Sequence, residues 1–203
     1  MQVLAFSMSP RRGGNTELLL ERVVEGLSSN GAVVETIRTH DLDISPCKGC
    51  GGCGRTGVCV IADDFHGLSG RLISCDGVVF AAPLYFMNVP ARGKSLIDRL
   101  QSFWVAKHRL GLDLFGGRRR FGLLVSCGGQ ARGPGGTDVF RGIEDTVTCA
   151  FDALGAEKMK SFLVRKADIH GEVAGMPDVM EKARRMGCEL ARYGVSVRPR
   201  ARG

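Results

Sequence analysis

Residues 2–16 read Gln-Val-Leu-Ala-Phe-Ser-Met-Ser-Pro-Arg-Arg-Gly-Gly-Asn-Thr. The short apolar run Gln2–Phe6 stops at Ser7, which predicts a first β-strand. Thr16–Ser29 carries its apolar residues at helical spacing, and Asn30-Gly31 supplies a stop, so a helix is predicted there. A strand that leads directly into a helix is the opening unit of an α/β fold.

The same alternation continues along the chain. Gly77–Ala82 is a continuous apolar run of the kind found in buried parallel strands. Further strands are predicted at Ala32–Arg38, Phe121–Ser126 and Lys160–Arg165, and further helices at Asp63–Ser74, Gly93–Val105, Asp138–Leu154 and Pro177–Tyr193. Five strands interleaved with five helices predict a doubly wound parallel sheet with helices on both faces. Ligands of such sheets bind beyond the carboxyl ends of the strands, here the loops after strands one, three and four.

The loop after the first strand has the composition of an anion site. It leads straight into a helix, whose first amides are unpaired and whose N-terminus attracts negative charge. Hydroxyl, amide and guanidinium donors follow one another, and we predict phosphate binding by Ser7, Ser9, Pro10, Arg11, Asn15 and Thr16. Neither the G-x4-G-K-[ST] nor the G-x-G-x-x-G pattern occurs there. The alternative is a helix capped by Asn15 or Thr16 with nothing bound.

The loops after strands three and four suit a flat ring. An apolar and aromatic run at the end of a buried strand either packs under a neighbouring loop or wraps a planar ligand. Between them, the two loops give the predicted ring-binding residues Pro83, Leu84, Tyr85, Phe86, Met87, Asn88, Ser126 and Gly128. Free amides of Phe86–Asn88 are expected to face the polar edge of such a ring.

Four cysteines follow the second strand as C-x2-C-x2-C-x5-C. Cys47, Cys50, Cys53 and Cys59 lie within thirteen residues, separated by glycines that leave amides free to point at sulfur. Three interpretations stay open: an iron–sulfur cluster held by four thiolates, a structural zinc site, and a glycine-rich connection with free thiols.

Composition narrows the class of protein. The chain has 203 residues, 44% of them hydrophobic and 6% aromatic, with a net charge of +7. One domain is expected over residues 1–197, with a basic tail at 198–203. No basic face with a nucleic-acid module is evident, so nucleic acid is not an expected partner. Without a signal peptide or a long apolar span, we expect a cytoplasmic protein with eight reduced cysteines and no membrane association.

We predict structural rather than chemical roles for several other residues. Cys75, Cys127, Cys149 and Cys188 are expected to pack as small buried hydrophobes, and Arg118–Arg120 to form a solvated face. The four histidines show no metal-ligand spacing, and no side chain stands out as a catalytic acid or base.

Taken together, three stretches resemble the NAD(P)H-dependent FMN reductase superfamily of flavodoxin-like folds, and within it the iron–sulfur flavoproteins. They are residues 7–16, the cysteine run with the following Val60–Phe65, and Ala82–Pro90. The resemblance implies a sheet order of 2-1-3-4-5, FMN with its phosphate at Ser9–Thr16 and its ring near Pro83–Asn88, and a [4Fe-4S] cluster on Cys47, Cys50, Cys53 and Cys59. It also implies a homodimer or homotetramer with FMN near a subunit interface.

The leading hypothesis from the sequence is an FMN- and cluster-containing oxidoreductase or electron carrier. Its expected partners are a ferredoxin-like protein or a small-molecule oxidant, with NAD(P)H as a reductant. One alternative is an FMN- or quinone-type reductase of the same fold with no functional cluster. Another is a zinc-stabilised binding module that uses the fold only as a scaffold.

Overall fold

The computed structural model describes residues 1–117, 120–129, 132–159 and 161–196; the tail 198–203 lies outside them. The strands are β1 Gln2–Ser7, β2 Val33–Arg38, β3 Gly77–Pro83, β4 Arg120–Cys127, β5 Ala156–Lys158 and β6 Phe162–Val164. The helices are α1 Asn15–Ser28, α2 Asp64–Ser74, α3 Ala91–Arg99, α4 Gln101–His108, α5 Arg141–Ala153 and α6 Pro177–Ser196. Within this described part, no helix is long and apolar enough to cross a membrane.

The sheet has the predicted order β2-β1-β3-β4-β5, and all its named strand pairs are parallel. The fifth position is shared by two short strands. β5 pairs with Arg120–Gly122 at the start of β4, and β6 pairs with Val125–Cys127 at its end. The predicted strand Lys160–Arg165 corresponds to β6, whereas the short, polar β5 has no strand pattern and was not predicted.

The two faces of the sheet carry separate apolar clusters. Leu4 and Phe6 of β1 point to one face, and Val3 and Ala5 to the other, as the period of two requires. The first face is covered by α2, α3, α4 and α5, and the second by α1 and α6. A Cβ atom on Gly26 would lie only 2.0 Å from the carbonyl oxygen of Arg184, so α1 and α6 are in backbone contact.

The predicted helix Gly93–Val105 is in fact two helices. α3 ends at Arg99 and is followed by the C-cap residue Leu100, whose amide donates to Ile97 O at 3.0 Å, an i→i−3 bond that tightens the last turn. Leu100 is buried and is a good helix former, so its residue type gives no sign of a break.

Arg120 is not on a solvated face, and that expectation was wrong. Its side chain is 1% exposed, with Nε donating to Cys75 O at 2.9 Å and Nη2 lying 2.8 Å from Cys75 Sγ. The guanidinium also donates to the carbonyl oxygens of Leu72 and Leu154 and lies over the Phe115 ring. It therefore joins the end of α2, the end of α5 and the first residue of β4. Arg118 and Arg119 lie outside the described residues.

Replacing Arg120 with methionine is expected to lower the free energy of unfolding by about 3 kcal/mol, because three buried carbonyl oxygens lose their donor. Urea denaturation measures the change. Arg71→Met is the matched control, since Arg71 forms an exposed ion pair with Glu35, and pairs of that kind contribute at most about 1 kcal/mol. Equal effects of the two substitutions would contradict a structural role for Arg120.

Candidate functional site

A cleft opens at the carboxyl ends of β1, β3 and β4. Its volume is about 170 Å³, which is below the range of about 300–1,000 Å³ that is typical of pockets enclosing a whole ligand. It brings together eight of the predicted cofactor residues: Ser9, Arg11, Asn15, Thr16, Pro83, Leu84, Tyr85 and Gly128. Gly14, Cys127, Ala167, Asp168 and His170 complete the lining.

The phosphate side of the cleft is the start of α1. Gly14 occupies the N-cap position and no side chain caps the helix, so the capped-helix alternative does not hold for Asn15 or Thr16. First-turn amides without a side-chain cap, at the positive end of a helix dipole, suit an anion. Ser9 and Arg11 flank them, and the Ser9 hydroxyl accepts the amide hydrogen of Arg11 at 3.2 Å.

Glu17 holds this loop in shape from behind. Its carboxylate accepts the Gly13 amide at 2.6 Å and the Ser7 hydroxyl at 3.4 Å, and it forms an ion pair with Arg38. Ser7 is buried and does not line the cleft. Contacts within the chain therefore fix the conformation of this loop.

The Asn15 side chain lines the cleft, but its polar atoms form hydrogen bonds within the chain. Its Nδ2 donates to Ala167 O at 3.0 Å and to Ile169 O at 2.8 Å, and its Oδ1 accepts the Val173 amide at 3.3 Å. The side chain thus ties the loop after β6 to the start of α1.

This connection places Asp168 and His170 in the cleft. Neither was predicted, because they lie about 150 residues along the chain from the phosphate loop and in no recognisable motif. Asp168 accepts the Gly129 amide at 3.0 Å, which also fixes the loop after β4.

Cys127 forms part of the cleft wall beside Thr16. Its Sγ lies 3.0 Å from Thr16 Oγ1, and the residue is 3% exposed. Burial raises the pKa of the thiol to about 11, although the hydrogen bond with Thr16 lowers it in part. Cys127 is therefore protonated at neutral pH, and the expectation that it is buried is confirmed.

The other predicted residues lie outside the cleft lining. Pro10 is exposed, and the Ser126 hydroxyl donates to Ala82 O at 2.7 Å in the interior. Asn88 donates its side-chain amide to Thr146 at 3.1 Å and its backbone amide to Tyr85 O at 2.9 Å, so this amide is not free for a ring.

Phe86 and Met87 form a strained turn directly after Tyr85, which lines the cleft. Tyr85 and Asn88 exchange two backbone hydrogen bonds of 2.9 Å, and the two residues between them have φ of 48° and 62°. Positive φ at both central positions is typical of turns that favour Asn and Gly, and it costs a bulky residue about 1–2 kcal/mol. Phe86 is fully exposed, so packing within the chain does not account for it. Strain of this kind is characteristic of functional loops.

We expect Phe86→Asn to raise the free energy of unfolding by about 1 kcal/mol, because Asn tolerates positive φ. The same substitution is expected to weaken flavin binding, because it removes an exposed ring next in sequence to Tyr85, which lines the cleft. Urea denaturation and flavin titration of the apoprotein measure the two effects. A variant that gains stability and keeps its flavin affinity would show that Phe86 does not contact the ring.

The four clustered cysteines line one separate cavity. Its volume is about 230 Å³, all four thiols are free, and Cys47 and Cys50 are exposed. Gly51 has a φ of 72°, which starts the 3-10 turn Gly52–Gly54 that carries Cys53. Within the described residues, no three Cys, His, Asp or Glu side chains are close enough to bind a single metal ion. The described cysteines are therefore not arranged around one tetrahedral zinc ion. A cluster differs, since each thiolate binds its own iron atom and the sulfurs stand further apart.

Arg99 lies in the wall of this cysteine cavity. It forms an ion pair of 2.6 Å with Asp63, and its Nε is buried without a hydrogen-bond partner in the described part of the chain. Burial alone would lower the pKa of Arg99, but Asp63 and Cys59 raise it. Burial would raise the pKa of Asp63, and the hydrogen bond from Arg99 lowers it. A buried cation beside four thiols fits an anionic thiolate-bound group.

The cysteine cavity and the cleft share no lining residue among the described ones. The cysteine loop leaves the carboxyl end of β2, as predicted, and then packs against α3 and α4. Beside it runs a groove that contains Cys47, the partly exposed Trp104 and Cys149. Cys149 is exposed, so its predicted burial was wrong, whereas that of Cys75 is confirmed.

Comparison with known proteins gives matches to the first two thirds of the chain. Residues 1–138 match the NADPH-dependent FMN reductase family. An iron-sulfur flavoprotein of Methanosarcina thermophila is 32% identical over 133 residues, which are 66% of this chain and 66% of that protein. One of Methanocaldococcus jannaschii is 33% identical, over 66% of this chain and 65% of that protein. The match thus spans slightly less than two thirds of each relative.

Solved structures extend the similarity of fold to almost the whole chain. The NAD(P)H:quinone oxidoreductase from Methanothermobacter marburgensis has a TM-score of 0.64 at 17% identity, covering 93% of this chain and 94% of that one. A flavodoxin from the domain Archaea has a TM-score of 0.54 at 11% identity, covering 96% and 98%. At these identities the structures support the flavodoxin-like fold alone. The phosphate loop, the cysteine run and the aromatic turn all lie within the matched residues 1–138, and the chain belongs to the NADPH-dependent FMN reductase family.

Proposed function

We propose that this protein is an FMN-binding oxidoreductase that also carries a [4Fe-4S] cluster. The observation that carries the proposal is the pair of separate cavities, one with an anion-binding helix start and apolar walls, the other with four cysteines and a buried arginine. Matched relatives named iron-sulfur flavoproteins support it.

The chain's own residues supply binding and orientation. The first-turn amides of α1, with Ser9, Arg11 and Thr16, would hold the FMN phosphate. Pro83, Leu84 and Tyr85 would contact the ring, and the backbone at Gly128, with a φ of 115°, leaves that side open for close approach. When bound, FMN exchanges both single electrons and hydride equivalents, while a cluster exchanges single electrons. In this proposal NAD(P)H is the reductant.

The thiolates of Cys47, Cys50, Cys53 and Cys59 would ligate the cluster. The two cavities share no lining residue among the described ones. We propose a homodimer or homotetramer in which the groove at Trp104 approaches the flavin of another copy. A ferredoxin-like protein or a small oxidant in the cytoplasm would complete the electron path.

Anaerobic purification followed by a visible spectrum tests the proposal, with separate assays of FMN, iron and zinc. We expect about one FMN and about four iron atoms per chain, as four thiolates of a [4Fe-4S] cluster require. Stoichiometric zinc with an empty flavin cleft would instead support the binding module.

An FMN- or quinone-type reductase without a cluster is the second candidate. The observation in its favour is that the lining of the flavin cleft includes none of the four clustered cysteines. Flavin-loaded, iron-free protein that oxidises NAD(P)H at a steady rate would support it. Loss of that activity in Cys50→Ser, with FMN retained, would count against it.

A further inference from the structure

Among the described residues, every charged side chain that lines the cysteine cavity is positively charged. Lys48, Arg99 and Arg109 line it together with the four cysteines, and no carboxylate is part of the lining. Lys48 and Arg109 are exposed to solvent, where their charge is screened. The side chain of Arg99 is 0% exposed, so its charge acts on the cavity at a lower dielectric constant.

Arg99 also closes the cysteine loop at both ends. Its Nη1 donates to Ser45 O at 3.0 Å, just before the first cysteine, and its Nη2 to Ile61 O at 3.2 Å, just after the last. Asp63 reinforces this closure, because its carboxylate accepts the Ser45 amide at 3.0 Å as well as the guanidinium. The frame of the loop is therefore held by α3 and by the start of α2.

One nitrogen of this guanidinium, Nε, is not used in these hydrogen bonds. Nε is buried, and it has no hydrogen-bond partner within the described ranges. A buried unsatisfied donor on a cation is costly. The cavity groups that have no assigned partner are the thiols of the four cysteines. One of them, Cys59, interacts with Arg99. Thiolates that ligate iron accept hydrogen bonds and carry the negative charge that this cation would offset.

We propose that Arg99 is a positioning residue for the thiolate-bound group, holding the cysteine loop closed and raising the reduction potential of that group. The inference rests on the proposed function. Reduction adds an electron to an already anionic group, and a buried cation nearby favours the reduced form. Asp63 acts in the opposite sense, because its negative charge lies beside the same cavity wall.

Two substitutions of opposite sign test this inference in the full, iron-loaded protein. Arg99→Met is expected to lower the ratio of reduced to oxidised cluster at least tenfold at a fixed potential, which is about 59 mV for a one-electron couple. Asp63→Asn keeps an N-capping side chain and removes a negative charge, so it is expected to shift the ratio the other way. Arg109→Gln, in the exposed wall, is the matched control with a smaller shift. The midpoint potentials are measured by redox titration with visible and electron paramagnetic resonance spectra.

Each outcome bears on a different claim. Iron bound in the wild type with unmoved potentials in both variants would overturn the role of Arg99 alone. If Arg99→Met does not fold, the Asp63→Asn variant alone tests the inference. An unchanged or lowered reduction potential in Asp63→Asn would then contradict it. Absence of iron from the wild-type protein removes the cluster proposal and this inference with it.

Discussion

Replacing Cys50 with serine is expected to remove the iron from the protein while FMN stays bound. Serine is a poor ligand for iron at neutral pH, and a cluster held by three thiolates in a solvent-exposed loop has no protection from loss. Because the cysteine cavity shares no lining residue with the flavin cleft, the flavin absorption is expected to remain. Iron and flavin assays on the same anaerobic sample measure both quantities.

Cys149→Ser is the matched control for this substitution. Cys149 is also exposed, but it lies on α5, outside the cysteine run. Its replacement is expected to leave the iron content unchanged. If Cys50→Ser and Cys149→Ser retain equal iron, the cysteine run does not hold the metal. If Cys50→Ser loses FMN together with iron, the two cavities are coupled through the fold or through another copy.

Much of the fold was predictable because local pattern and tertiary environment agree. The apolar run at Gly77–Ala82 became the central strand β3, and the helical spacing before Asn30 became α1. The wrong or missing predictions concern places where tertiary contacts, rather than the local sequence, determine the secondary structure. The residue type of Leu100 does not indicate that its amide donates to the carbonyl three residues earlier rather than four. The segment β5 is a strand only because β4 pairs with it.

The candidate site shows the same division. Short-range motifs correctly brought Ser9, Arg11 and Thr16 to one cleft with Pro83 and Leu84. Residue type alone does not show whether a serine hydroxyl faces a ligand or the interior of the protein. The hydroxyl of Ser126 is used inside the sheet. Asp168 and His170 reach the cleft through tertiary contacts, among them the hydrogen bonds of Asn15 with the loop after β6 and that of Asp168 with the Gly129 amide, and no sequence spacing encodes those contacts. They also lie beyond the family match at residues 1–138.

FMN is expected to bind the apoprotein at least about 100-fold more tightly than riboflavin, which lacks the phosphate. Charge-assisted hydrogen bonds contribute about 1.5–3 kcal/mol each, and a tenfold change in affinity corresponds to about 1.4 kcal/mol. Two such bonds, one from the uncapped start of α1 and one from Arg11, are therefore sufficient for the expected difference in affinity. Titration of flavin fluorescence against apoprotein measures both dissociation constants.

Arg11→Gln is expected to lower the affinity for FMN about tenfold and to leave that for riboflavin unchanged, since in the proposed binding mode the guanidinium would contact only the phosphate. Arg12→Gln is the matched control, because the neighbouring Arg12 forms an exposed ion pair of 3.1 Å with Asp41 and does not line the cleft. Equal losses in the two variants would mean that net charge, rather than contact, drives binding. Equal affinity of the wild type for both flavins would mean that the start of α1 does not bind the phosphate, and the cleft would then need a different ligand.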